Sequence, residues 1–126
     1  MAALPTGTVT FVFTDVERST RLLRELGPDA YAATLGEHRK IVRAAFAKGV
    51  EVDTQGDAFF FAFPRAVDAL TACETVLSVL DGGPIRLRIG VHTGEPLLTE
   101  EGYVGIDVHR AARIAAVGHG AQVLVS

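Results

Sequence analysis

Residues 8–14 alternate, with Val9, Phe11 and Phe13 on one side and threonines mostly on the other. A period of two is the signature of a strand. Asp15 closes this run, and a helical pattern follows with Val16, Leu22, Leu23 and Leu26 on one stripe, until Gly27-Pro28 punctuates it. Tyr31, Leu35, Val42 and Phe46 then recur at helical spacing to about residue 47, with Gly36 as a weak point. Residues 49–53 read as a short strand, Gln55-Gly56 as a turn, and residues 58–63 as a buried strand, which together make a hairpin. Pro64 suits the first position of a helix whose apolar stripe is Val67, Leu70, Cys73, Leu77 and Leu80. After the break at Asp81-Gly82-Gly83-Pro84, Ile85, Leu87, Ile89 and Val91 alternate against Arg86, Arg88 and His92. A Gly/Pro-containing loop leads to a helix over residues 105–117, with Val108, Ala111, Ala112 and Ala115 facing inward, and residues 121–125 form a last strand.

This order, β-α-α-β-β-α-β followed by α-β, predicts an α+β domain of the ferredoxin-like, split βαβ kind. Its sheet is rich in antiparallel pairs, and its helices pack on one face. The first strand lies between the third and the fourth. The C-terminal end of strand one is therefore beside the N-terminal end of strand three. Residues 1–7 read as a flexible tail and residues 8–126 as one domain.

A net charge of −3 speaks against a nucleic-acid partner, which would need a basic face. The longest apolar run, residues 58–63, is far short of the roughly 18 needed to span a bilayer, and residues 1–7 lack the build of a signal peptide. A single cysteine, Cys73, permits no internal disulfide and reads as a core thiol, compatible with the cytoplasm. His38 and His119 have no partners at metal-ligand spacing and read as surface or core residues.

The chemistry suggested by this order centres on Asp15 and Asp57, remote in sequence and brought by the topology to one edge of the sheet. Adjacent carboxylates repel unless a cation lies between them. Oxygen ligands of this kind suit Mg²⁺ or Mn²⁺, which bind one or two carboxylates plus substrate phosphates. A helix starting after Asp15 would offer the N–H groups of Val16, Glu17, Arg18, Ser19 and Thr20 to phosphate. Each acid also has a plainer role, Asp15 as a helix N-cap and Asp57 as a turn residue. Physical reasoning alone leaves the two readings level.

Four segments carry a resemblance to class III adenylate and guanylate cyclase catalytic domains. Residues 9–20, VTFVFTDVERST, resemble the first metal motif, and residues 54–59, TQGDAF, the second. Residues 88–94, RIGVHTG, are similar to the fourth-strand segment, and residues 103–114, YVGIDVHRAARI, to the transition-state helix. The likeness runs in order from about residue 7 to residue 126 and is nearest to bacterial domains found beside ATPase or transcription-regulator modules. It implies a regulatory or effector neighbour. It implies two Mg²⁺ or Mn²⁺ ions per site, held by Asp15, Asp57 and the Val16 carbonyl, converting ATP or GTP to the cyclic monophosphate and pyrophosphate. Arg113 would offset charge on the α-phosphate, and Arg88 would hold the outer phosphates. In such a homodimer, Asp15 and Asp57 of one chain face His109 and Arg113 of the other. His109 and Arg113, four residues apart, share one helical face.

The chain departs from the family pattern at the base. Asp53 stands where adenylate cyclases carry a lysine, and Gly102 aligns near the aspartate that is that lysine's partner. Asp53 only accepts hydrogen bonds, so it suits the guanine N1–H and amino group or the adenine amino group. His109 replaces the ribose-orienting asparagine, and the family continues past residue 126 through further strands that supply a lysine. These departures leave a second reading, a degenerate cyclase-homology module that binds nucleotide or dimerises to regulate a neighbour. A diguanylate cyclase is disfavoured, because the turn reads Gln55-Gly56-Asp57-Ala58-Phe59 rather than a Gly-Gly-acidic-Glu-Phe hairpin.

Overall fold

A computed structural model describes residues 3–116, 118, 120 and 122–125, with the backbone alone at 106–109 and 111. The elements are β1 (Val9–Val16), α1 (Ser19–Leu26), α2 (Pro28–Ala45), β2 (Val50–Gln55), β3 (Ala58–Phe63), α3 (Ala66–Leu80), β4 (Leu87–Gly94), β5 (Leu97–Thr99), β6 (Gly102–Val104), α4 (Ile106–Ala116) and β7 (Gln122–Val125). The main sheet has the order β2-β3-β1-β4-β7. β1 is antiparallel to β3 on one side and to β4 on the other, and β7 adds a parallel edge beside β4. This is the predicted ferredoxin-like arrangement. The stretch expected as a loop before α4 contains a separate hairpin, β5–β6.

Alternation along the strands sorts side chains onto two faces. Val12 and Val16 of β1, Phe59, Phe61 and Phe63 of β3, and Leu87, Ile89 and Val91 of β4 join Val42, Phe46, Ala69, Cys73 and Val76 of α2 and α3 in the main core. Phe46 meets Phe61 edge-on, with ring centroids 5.0 Å apart. Each fully buried side chain of this size contributes about 1.5–3 kcal/mol. The opposite face carries a smaller apolar group, Val9, Phe11 and Ala62, packed with Phe13, Phe60 and Tyr103. α2 and α3 form the expected one-sided layer. α4 departs from it: it packs against β1, β4 and β7, and its Ala112 lines a cavity with Phe13 and Phe60 on the opposite face of the sheet.

Several helical expectations shift. Of the stripe expected for α3, Cys73 is buried and Leu77 and Leu80 pack against the core, whereas Val67 and Leu70 are exposed and Ala69, Ala72 and Val76 take their place. Alanines let the helix approach the sheet closely, and that outweighs the larger apolar surface of Val67 and Leu70. Pro64 precedes the helix, which starts at Ala66 behind Arg65. Of the first helix's stripe, Val16 belongs to β1, Leu22 packs on the core, and Leu23 and Leu26 are exposed. Cys73 is buried, and that burial pushes its thiol up to about 12, so it is an inert core residue as predicted. The tail expected to be flexible accepts a tie at Pro5, whose carbonyl oxygen takes a 2.7 Å hydrogen bond from the Tyr103 hydroxyl.

Gly49 lies against the Phe63 ring, and a Cβ there would come within 2.8 Å of it. Phe63 is fully buried and has no room to yield. Gly49→Ala is therefore expected to destabilise the domain by about 1–3 kcal/mol through overpacking. Thermal unfolding should register this as a loss of several degrees.

Candidate active site

Pairing of Gln55 with Ala58 closes the β2–β3 turn over Gly56 and Asp57. The register of Thr14 with Phe59 runs the end of β1 alongside that turn. Asp57 Oδ2 accepts a 2.9 Å hydrogen bond from the Val16 N–H. That N–H belongs to the peptide group linking Asp15 to Val16, so Asp57 is docked one peptide unit from Asp15. From α2, Arg39 donates to the Gly56 carbonyl and steadies the turn from behind.

Asp15 and Arg88 are directly opposite in the β1–β4 register. Arg88 Nε and Nη2 donate to Asp15 Oδ1 and Oδ2, both at 2.7 Å. This bidentate bond raises the Arg88 pKa further above its ordinary value, and the charges of Asp15, Glu17 and Asp57 add to it against the opposing effect of burial. An all-oxygen, acidic pair that already attracts one cationic group is chemically suited to a divalent ion. Among the described residues no three His, Cys, Asp or Glu side chains converge as a metal cage. A cation here would complete its coordination with water or with phosphate oxygens.

The proposed phosphate cradle is shorter than predicted. Val16 N–H is committed to Asp57, and Glu17 N–H donates to the Arg86 carbonyl at 2.8 Å. The Glu17 carboxylate turns away, accepting from the Gly120 N–H and lying 3.9 Å from Arg86 Nε. Arg18 adopts a left-handed conformation at φ 54° before α1 begins. The cradle thus contracts to the first turn of α1, at Ser19 and Thr20, whose N–H groups no helical carbonyl can satisfy. The cause is that β1 runs on to Val16 instead of ending at Asp15.

On the Asp15 side of the sheet, a cleft of 390 Å³ is lined by Phe13, Asp53, Gln55, Phe60, Glu101, Gly102 and Tyr103. Asp53 and Gly102, chosen from sequence as base-reading positions, therefore meet in one cavity. Asp53 is already held, accepting from the Thr54 N–H and the Gln55 side-chain amide at 2.9 and 3.1 Å. Gly102 has φ +109°, where an aspartate would be strained. Glu101, which sequence reasoning missed, puts a carboxylate beside Gly102; its adjacency to that position was the available signal. Arg113 is exposed on α4. The side chain of His109 lies outside the described residues, as do His119 and the side chains of Val108 and Ala111.

His38 is a core residue, 1% exposed, with neither ring nitrogen hydrogen-bonded among the described residues. Burial lowers its pKa from the usual 6.5, partly countered by the Asp57 charge, while Arg39 lowers it further. The folded state therefore binds fewer protons than the unfolded chain once the pH falls to about 6.5, and stability is lost on acidification below that value. His38→Phe removes both the titration and the orphaned nitrogens. It should gain about 1 kcal/mol at neutral pH and flatten the decline below about pH 6.5, read from denaturant midpoints.

The sequence matches the family described as adenylate and guanylate cyclase catalytic domain over residues 1–126. An uncharacterized protein of Mycobacterium tuberculosis is 42% identical over 126 residues, covering 97% of this chain and 44% of that protein. The adenylate cyclase of Lachancea kluyveri is 37% identical over 157 residues, covering 98% of this chain and 8% of that protein. A Trypanosoma brucei adenylate cyclase, solved in its monomeric state, superposes with a TM-score of 0.82 at 25% identity, covering 98% of this chain and 75% of that one. The fold and the acidic sheet edge define a class III cyclase catalytic domain. The chain belongs to the adenylate and guanylate cyclase catalytic domain family and spans less than half the length of the mycobacterial relative.

Proposed function

We propose that the domain is a purine nucleotide cyclase, acting on ATP or GTP at a site shared between two copies of the chain. The observation that carries this reading is the docking of Asp57 on the peptide group that links Asp15 to Val16. Asp15, Asp57 and the Val16 carbonyl would hold Mg²⁺ or Mn²⁺, two per site, which when bound favour ionisation of the ribose 3′-hydroxyl and offset charge on the departing pyrophosphate. The chain's own groups do the rest. The first turn of α1 receives phosphate oxygens, and Arg88 binds the outer phosphates through its fork. The 3′-oxygen attacks the α-phosphorus in line as the bond to pyrophosphate breaks. Arg113 of the partner subunit offsets the charge that develops there, and the partner's His109 donates to the ribose.

Two features support the shared site. Arg113 is exposed rather than folded over its own Asp15. Leu97 and Val104, paired across β5–β6, are 65% and 52% exposed, an apolar surface suited to a second copy. At the base, Asp53 and Glu101 only accept hydrogen bonds, which matches the donor edge of guanine and the amino group of adenine. Among the described residues no helix is long and apolar enough to cross a membrane; we place the domain in the cytoplasm, beside a regulatory or effector module.

Cyclic nucleotide formation with Mn²⁺ and either ATP or GTP tests the reading. Product should rise more steeply than linearly with dilute protein and vanish in Asp57→Ala. Arg113→Ala should lower kcat by about a hundredfold with little change in KM, since its interaction belongs to the transition state. Nucleotide binding without product at every protein concentration would instead identify a degenerate, regulatory module. Leu97→Glu should weaken self-association by sedimentation and depress activity most at low protein concentration.

A further inference from the structure

The site contains its own competing cation. Both oxygens of Asp15 are taken by the forked donors of Arg88 at 2.7 Å, the strongest geometry available to a carboxylate. The two residues are backbone neighbours across β1–β4, so the sheet register holds the pair together without a long side-chain search. Their side chains are only 27% and 20% exposed, so solvent screens the attraction less than at an open surface. Asp57 is engaged differently, through one oxygen to a neutral N–H. A divalent ion arriving alone would find one acid lightly held and the other neutralised, with no third acid among the described residues to assist.

From this geometry we infer that Arg88 is a positioning residue that keeps Asp15 closed to free divalent cations and releases it only to a triphosphate. The metal then enters with the nucleotide rather than before it. The physical reason is exchange of partners. A triphosphate presents the same fork-compatible oxygens with more negative charge than one carboxylate, so Arg88 can leave Asp15 without losing its bidentate bonds. Asp15 is freed at the moment when phosphate oxygens are present to complete an ion's shell. A lysine would not serve equally, because it is a point charge that cannot hold both oxygens in a fork. The inference rests on the two-acid reading above and adds an order of binding to it.

Mn²⁺ binding, followed by the electron paramagnetic resonance signal of the free ion, needs no turnover. Measured with Mn²⁺ alone, the native protein should bind weakly. Arg88→Gln should tighten that binding about tenfold, the scale expected when a partly exposed pair is removed from competition. Arg88→Lys should fall between the two, and it carries the test if thermal melting shows Arg88→Gln to be unfolded. With Mn²⁺ and a 3′-deoxynucleoside triphosphate, which has no nucleophile, the advantage of Arg88→Gln should disappear or reverse. Unchanged or weaker Mn²⁺ binding in both Arg88 variants, with binding still abolished by Asp57→Asn, overturns the role of Arg88 and leaves the two-acid site standing. Mn²⁺ binding indifferent to both Asp15→Asn and Asp57→Asn overturns the site itself.

Discussion

The centre of the molecule is β1, hydrogen-bonded along both edges, to β3 and to β4. A strand fixed on two sides has no freedom to slip, because a shift of one residue would turn Val12 and Val16 out of the core and drive Asp15 into it. Every later placement depends on that register. It aligns Arg88 with Asp15 and runs Val16 past the β2–β3 turn. It also leaves Phe13 and Asp15 on the side away from α2 and α3, where the cleft lies.

The chemistry follows from how charge is arranged around this strand. Asp15 and Asp57 are brought close by backbone pairing, and the repulsion between them is relieved by Arg88 and by the Val16 N–H. Relief by a mobile side chain differs from relief by a fixed dipole. The guanidinium can depart when a stronger anion arrives, whereas the Val16 N–H is part of the sheet edge and keeps Asp57 aimed. One acid is thus permanently oriented and the other conditionally masked. Glu17, which continues the same segment, is used to tie the β7 side through Gly120 and Arg86, so it buttresses the edge instead of adding to the ligand set.

Unfavourable features gather near this edge. Thr14, one residue before Asp15, is fully buried with its hydroxyl unpartnered among the described residues. His38 is buried and unpartnered, and it lies within the electrostatic reach of Asp57. Arg18 occupies a conformation that favours glycine. Each such feature costs on the order of 1–3 kcal/mol. The aromatic packing of Phe46, Phe59, Phe61 and Phe63 between sheet and helices offsets them. Strain concentrated beside a reactive edge and a well-packed core elsewhere is the division expected of a catalytic domain.

The strands were legible because a sheet with one greasy face writes a period of two into the chain, as Leu87, Ile89 and Val91 show against Arg88. From the strand order, the meeting of Asp15 with Asp57 followed, since antiparallel pairing on both sides of the first strand admits few alternatives. The stripe of α3 is legible at Cys73, Leu77 and Leu80 but not at its start, where Val67 and Leu70 are exposed and the small Ala69 and Ala72 are buried in their place. The cradle was overextended because nothing in the run Val16-Glu17-Arg18 tells whether a backbone N–H is free or already bonded to a remote residue. The Asp15–Arg88 pair and the carboxylate of Glu101 beside Gly102 were likewise invisible: they join residues distant in the chain, or depend on how a hairpin folds over a cleft. Residue identity and periodicity determined the elements, their order and the acids available for chemistry. Which donors those acids meet was decided only in three dimensions, because hydrogen bonds between side chains depend on positions within a few tenths of an ångström, and local sequence constrains only the direction in which each side chain leaves the backbone.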